Sequence, residues 1–435
     1  MSEPMADYEV AILGAGAAGL MAAIRAAELG RSVVLLEKNR RPGVKILMSG
    51  GTRCNLTNAR GLRNLRVVSG PVDPAYDSRQ ALGARSIQAG FGANGAFLGP
   101  SLKAFSVEST VEFFEKEGVA TKVEGNGKIF PASDRAVDVL AAIVARLERT
   151  SAKLLVNCAC QGVKYEDGRF VVSKPDGSIT ANKVILAVGG LSYPGCGTTG
   201  DGYGIARSFG HSLVETRPAL VPLRVDAEWV KALAGLTLPD TTARVVDSNG
   251  ITLIERREAV LFAHFGLTGP AILDVSRAVA RHNSKDQLRL MLDLVPERRA
   301  EELETALQQV SRSGRGQVVG MLPGQLPRRL ADAVMASAGV PPTRIGAELS
   351  REERRRVVGT LKGLTLPIAG TLGFGKAEVT SGGVELGEVR AETLESLRAP
   401  GLYFAGEVLD LDGLIGGYNF QAAWSTGWLA GQSRP

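Results

Sequence analysis

The first residues in this chain whose types and spacing could do chemistry are the glycines of Gly14-Ala15-Gly16-Ala17-Ala18-Gly19 and the acidic Glu37 beyond them. In a strand-to-helix turn of this spacing, the first glycine makes the tight bend, the second admits a pyrophosphate to the backbone, and the third lets helix and strand pack closely. The helix N-terminus then presents free N–H groups to the phosphates. Glu37 is placed to accept hydrogen bonds from an adenosine ribose, with Lys38 beside it. The elements that must position these groups are legible: Tyr8 to Leu13 (YEVAIL) reads as a buried strand, LMAAIRAAELG as a helix closed by Gly30, and Ser32 to Leu36 (SVVLL) as a second strand. The unit predicts dinucleotide binding.

Which dinucleotide is decided further along the chain. Gly401-Leu-Tyr-Phe-Ala-Gly406-Glu407 reads as a buried strand ending in a carboxylate, followed by Asp410, Asp412, Gly416-Gly417-Tyr418-Asn419 and the helical stretch FQAAWSTGWLAG. A carboxylate there suits a ribityl chain, and a helix opening at Gly416 to Asn419 aims N–H groups at the pyrimidine edge of a flavin. Reduction places negative charge on that edge, which a helix N-terminus favours by about 0.3–1 kcal/mol. FAD therefore fits better than NAD. Lys183 to Val188 (KVILAV), with Ala187, leads into Gly189-Gly190, a turn that could close over the flavin. Three distant segments meet at one cofactor, so its domain is expected to be discontinuous. No second GxGxxG unit exists for a nicotinamide nucleotide, because Gly197 to Gly204 has the wrong spacing and no following strand and acid. NAD(P)H must then visit transiently, or electrons must come from the substrate.

The loop 45–58 follows the ribose-binding strand and should lie along the cofactor, bringing Lys45, Ser49, Gly50, Gly51, Arg53, Cys54 and Asn55 to it. Arg53 could neutralise a phosphate or orient an anionic substrate. Cys54 could deliver a proton if it faces the flavin, or it could be a buried thiol packed beneath the loop. Tyr193, after the Gly189-Gly190 turn, is a further catalytic candidate, as is His264 in the apolar run VLFAHFGLTGP, where a core histidine is the alternative. Thr380 and Ser381 could face the flavin's other edge. No metal-ligand cluster, P-loop or Ser-His-Asp triad competes with these groups.

Apolar residues make up 44% and charged residues 22% of the 435, which excludes disorder and collagen, and 53 glycines exceed the usual share. No apolar run reaches the roughly 18 residues that cross a bilayer, and MSEPMADYEV has neither a basic start nor an apolar core, so a cytoplasmic protein without membrane association is expected. Four cysteines without a CxxC pair make no disulfide framework; Cys158 and Cys160 would share one face of a strand as buried thiols, Cys160 near the cofactor. The net charge of +6 mildly favours acidic partners. Arginines gather at Arg60, Arg63 and Arg66 and again at Arg351, Arg354, Arg355 and Arg356, the second group interleaved with Glu348, Glu352 and Glu353.

At Lys45-Ile-Leu-Met-Ser-Gly50-Gly51-Thr-Arg53-Cys54-Asn55-Leu-Thr-Asn58 the chain resembles the BaiN/YhiN-like NAD(P)/FAD-dependent flavoproteins, with Thr52 where their GGGRCNxTN signature has a third glycine. Lys128 to Ser133 is similar to their GRVFPxS element with Lys for Arg, and further matches run through Gly189 to Pro194, Gly197 to Tyr203, His264 to Pro270, Glu378 to Val384 and Gly406 to Asn419. The resemblance implies an α/β fold: a Rossmann-like, glutathione-reductase-type FAD domain over 1–190 and 378–435, an inserted β-barrel-like domain over 191–295 and 364–377, and a small helical domain over 296–363. The local patterns agree, with Val, Leu and Thr rich in the first insert, and helical spacing and a capping signal, Ser350 with Glu353, in the second. It also implies an oxidoreductase. The foremost reading is an NAD(P)H-dependent reductase giving hydride from flavin to a conjugated C=C bond, in uracil of ribosomal RNA to make dihydrouridine or in a small enone. The alternatives are an amine or amino-acid oxidase releasing hydrogen peroxide, and a flavin-containing RNA-binding or assembly factor without catalysis. Oligomeric state is not legible.

Overall fold

A computed structural model describes residues 7–282, 288–314, 316–322 and 326–432. They form two compact units, one of residues 1–217 with 378–435 and the other of residues 218–377.

The first unit is built on a seven-stranded sheet, counted among the described residues. Its centre is parallel: Asp7–Leu13 lies between Val33–Leu36 and Gly177–Leu186, with Lys153–Leu155 outside the second strand and Leu402–Phe404 paired to Gly177–Leu186. The centre reads as apolar because both of its faces are covered. Register brings Leu36, Leu13, Leu186 and Phe404 level with one another. The residues that follow these ends, Glu37, Gly14, Ala187 and Ala405, therefore share one rim, the carboxyl edge where open α/β sheets bind ligands. Helices Ala17–Glu28 and Tyr418–Gly431 pack together beside this sheet. A small antiparallel sheet, Thr57–Asn58, Lys128–Pro131 and Thr121–Val123, carries the loop that precedes it.

The second unit is built on an antiparallel sheet, seven-stranded among the described residues, whose order runs from Leu364–Pro367 to Gly370–Thr371. These outer strands are consecutive in the chain, so the sheet curls back toward its own beginning.

The boundaries differ from those expected at 190 and around 296–363. Residues 191–217 stay with the first unit because Leu191 and Ser192 are hydrogen-bonded to Thr380, and Gly382 lies so close to the Glu215 carbonyl that a Cβ would stand 2.3 Å from its oxygen. The helical part is not a separate domain. Helices Ala300–Ser313, Arg328–Ser337 and Arg351–Lys362 are amphipathic and bury Leu303, Leu307, Leu330, Val357 and Leu361 in the same cluster as Leu290, Leu292 and Leu366 of the sheet. Short helices with one apolar face need that shared core. Among the described residues no helix is long and apolar enough to cross a membrane.

Candidate dinucleotide site

The glycine turn forms as its spacing predicts. Gly19 packs so tightly on the turn that a Cβ would lie 1.8 Å from the Gly14 carbonyl oxygen, whereas a Cβ on Gly16 would meet nothing within 4 Å. The tight glycine faces protein and the open one faces outward. Helix Ala17–Glu28 starts at Gly16 with no side-chain cap and no acidic residue in its first turn, so its leading N–H groups remain for an anion. Glu37 is buried and accepts the Ala15 N–H at 2.9 Å and the Asn39 N–H at 2.8 Å. The carboxylate is thus fixed against the turn before any ribose is added. Its backbone is held by Leu155 and Cys158. Lys38 is spent on Asp201 and Thr199, at 2.5 and 2.6 Å.

At the far end of the rim, Glu407 is the hub. Its Oε2 accepts from Lys45 at 2.5 Å, and its Oε1 accepts from the Ser192 hydroxyl at 2.5 Å and the Thr380 N–H at 2.8 Å; Lys45 also donates to Ser192 at 2.7 Å. Thr380 in turn accepts the N–H groups of Leu191 and Ser192. Gly190 tolerates no side chain, since a Cβ would stand 2.5 Å from the Thr380 hydroxyl. Ser192 is a member of this cluster that sequence reasoning missed, although it lies within the quoted motif Gly189 to Pro194. Burial, helped by the negative charges of Glu407 and Asp410, raises the Tyr203 phenol well above its ordinary range.

The loop 49–58 is a clamp. In the amide orientation its neighbours require, Asn55 donates to the carbonyls of Thr57 and Ile129 and accepts the Gly417 N–H at 3.0 Å. Thr57 donates to Gln421 at 2.6 Å, Asn58 donates to the Gly416 carbonyl at 2.9 Å, and Trp424 donates to the Leu56 carbonyl at 3.0 Å. The signature loop thereby seats the start of helix Tyr418–Gly431, where Tyr418 is buried and Asn419 folds back on Gly413. Gly50, Gly51, Thr52 and Cys54 all have left-handed φ, of 55°, 67°, 69° and 59°.

Several expectations are corrected here. Arg53 is gripped by Glu124 and Asp134 and lies 4.0 Å over the Phe130 ring, so its charge is already compensated and it braces the loop instead of offering itself to a phosphate. Cys54 has no exposed surface and burial pushes its thiol up to about 12, which favours the packed-thiol alternative over proton delivery. Cys158 and Cys160 lie in an irregular segment, not on a strand; burial pushes the Cys160 thiol up to about 11, and it contacts the Gly162 carbonyl. His264 is exposed, in the turn between Thr252–Ala263 and Gly266–Thr268 of the second unit, with its ring edge-on to Phe265. It is neither a core histidine nor part of the first unit. Tyr193 is half-buried in left-handed backbone, φ 54°, and burial raises its phenol.

One arrangement that local sequence conceals is Ser396, His211 and Glu388, with Ser396 Oγ 2.6 Å from His211 Nε2 and His211 Nδ1 3.3 Å from Glu388. The geometry resembles a hydrolytic triad, but the ring is fully buried and the Ser396 oxygen already accepts the N–H groups of Arg398 and Ala399. It pins two loops together.

A glycine turn with an uncapped helix start, a buried carboxylate fixed against it, and a second carboxylate and helix start along the same rim fit an FAD-dependent oxidoreductase of the Rossmann-like class. The chain matches the HI0933-like protein Rossmann domain over residues 8–70 and 80–433 and belongs to that family. It is 32% identical to the ribosomal RNA dihydrouridine synthase of Escherichia coli over 432 residues, 98% of each chain, and 32% identical to the 3-dehydro-bile acid delta(4,6)-reductase of Clostridium scindens over 429 residues, again 98% of each. Its fold is similar to that of the 3-ketosteroid-delta4-(5alpha)-dehydrogenase of Rhodococcus jostii, with a TM-score of 0.55 at 15% identity, covering 99% of this chain and 97% of that one.

Proposed function

We propose that this protein reduces a carbon–carbon double bond conjugated to a carbonyl, in a uracil base of ribosomal RNA, using NADPH or NADH as a transient electron donor. The observation that carries the reading is the full-length similarity to two reductases, one named for making dihydrouridine in ribosomal RNA and one for reducing a 3-dehydro-bile acid. Both names describe an alkene activated by conjugation to a carbonyl, so one chemistry serves both. A second ribosomal RNA dihydrouridine synthase, of Haemophilus influenzae, is 31% identical over 437 residues, and with the net charge of +6 it favours RNA over a steroid. An RNA substrate implies the cytoplasm.

In this reading the Gly14 to Gly19 turn takes the pyrophosphate and Glu37 the adenosine ribose. Glu407, held by Lys45 and Ser192, takes the ribityl chain, and the helix start at Gly417 to Asn419 takes the pyrimidine edge. Bound FAD, once reduced, supplies the hydride. Tyr193, directly after Ser192 of the Glu407 cluster and partly open to solvent, would supply the proton to the neighbouring carbon.

Anaerobic stopped-flow mixing with NADPH and with NADH tests the donor, with bleaching of the flavin band expected for one of them. No bleaching with either overturns it. Mass spectrometry of ribosomal RNA from a deletion strain tests the substrate; persistence of every dihydrouridine there would sink it.

A further inference from the structure

We propose that Arg63, Arg66 and Arg85 form a phosphate-binding surface for the RNA strand beside the flavin end of the site; the proposal rests on the RNA reading above. The chain has two arginine-rich stretches, and the structure separates them. In residues 344–356 three of the five arginines are engaged internally, while Arg351 and Arg355 stay exposed without an ion pair among the described residues. Arg344 pairs with Glu348 and Glu353, Arg354 with Glu304, and Arg356 donates to the Ala338 carbonyl and approaches Glu352. Arg63, Arg66 and Arg85 are exposed, and among the described residues none of their guanidinium groups has a carboxylate within 4.0 Å. Unpaired, solvated cations on one face are what a phosphate backbone requires.

These side chains belong to one surface. The helical turn Ala59–Gly61 packs on helix Ala84–Ala89, and the Leu82 N–H donates to the Arg60 carbonyl at 3.0 Å. The Arg63 side chain runs along Gly83, its Nε 3.4 Å from where a Cβ would stand. Arg66 follows three residues on, its N–H capped by Asn64 at 2.9 Å. The carboxylates of Glu108 and Glu115 come near through local hydrogen bonds: Glu108 accepts the Arg63 backbone N–H and the Ser106 hydroxyl, and Glu115 accepts the Ser69 N–H.

The surface is also in the right place. Its first turn begins directly after Asn58, which holds the Gly416 carbonyl, and helix Ala84–Ala89 ends at Gly90, where a Cβ would stand 2.4 Å from the Tyr418 ring and whose carbonyl accepts the Leu414 N–H. The basic face therefore flanks the helix start assigned to the flavin's pyrimidine edge, where a base presented for reduction must sit while its flanking phosphates lie outside.

The test is fluorescence-anisotropy titration of the FAD-loaded protein with deproteinised ribosomal RNA across a salt series. It compares wild type, the triple variant Arg63→Gln/Arg66→Gln/Arg85→Gln, and a control, Arg351→Gln/Arg355→Gln, in the other stretch. Loss of three contacts should lower the slope of log affinity against log salt by about 2 to 3, and the affinity at 0.1 M salt on the order of a hundredfold. The visible flavin spectrum reports that the variant is folded and loaded. Wild-type binding that the triple variant retains overturns the surface and leaves the RNA reading standing. A loss found only in the control moves the contact to the other stretch and equally overturns the proposal. Absence of any salt-sensitive binding by wild type overturns the RNA reading and the surface with it.

Discussion

The ammonium of Lys45 stands 2.5 Å from a carboxylate oxygen of Glu407, joining the loop that follows strand Val33–Leu36 to the rim residue that follows the last strand of the sheet. The two side chains are 25% and 17% exposed, so the pair is only partly screened by water. Lys45→Met leaves Glu407 with Ser192 and Thr380 but no countercharge. We expect FAD to bind about tenfold more weakly, a cost of about 1–2 kcal/mol once partial solvation is allowed for. Titration of deflavinated protein with FAD measures it, and an unchanged affinity would remove the pair from the site.

Asn55 is the keystone of the clamp, and its two kinds of hydrogen bond can be separated. Asn55→Asp can still accept from Gly417 but cannot donate to Thr57 and Ile129, and it buries a charge. Both Asn55→Asp and Asn55→Ala should destabilise the protein by about 1–3 kcal/mol, with Asp at the worse end. Thermal unfolding of the apoprotein reads this without reference to catalysis.

Thr52 is a β-branched residue in left-handed backbone, which glycine adopts freely. Thr52→Gly should therefore stabilise the protein by about 1 kcal/mol, reduced by the greater freedom of glycine in the unfolded chain. A fall in denaturant midpoint would contradict this.

Cys54 should prove dispensable for chemistry. Cys54→Ala is expected to lower turnover less than about fivefold, against the 10²–10⁴ typical for loss of a general acid. Native protein should hide this thiol from an aqueous thiol reagent that counts the reactive cysteines, because a thiol held near 12 and sealed from solvent presents almost no thiolate.

Acid should loosen the loop around Glu388. Its hydrogen bond to Arg398, helped by the Ser212 N–H, holds its carboxyl down at about 2, below the unfolded value near 4.5. A depressed carboxylate contributes stability that is fully present above the unfolded value and disappears as pH falls from about 4.5 toward 2. Arg398→Gln should flatten that part of the stability profile, measured by urea unfolding between pH 5 and pH 3.

Local pattern carried the parts of the site that are local. The strand, glycine turn, helix and Glu37 lie within one stretch, and their chemistry depends on spacing alone. Long-range pairing was out of reach: nothing near Arg53 in sequence announces Glu124 and Asp134, and nothing near His211 announces Ser396. The same limit explains the helical insert. Its apolar stripes were legible, but whether they meet one another or the sheet is a matter of tertiary packing.

Helices Ala17–Glu28 and Tyr418–Gly431 touch so closely that a Cβ on Gly427 would lie 2.2 Å from the Ala18 carbonyl oxygen. The two are separated by some 400 residues of chain, about 20 to 80 seconds of synthesis at ordinary translation speeds. Through that interval the early helix carries an apolar flank with no partner, and the cofactor rim lacks Glu407. Packing of this helix pair, and the rim that Glu407 joins, are therefore completed only once the later helix has been synthesised.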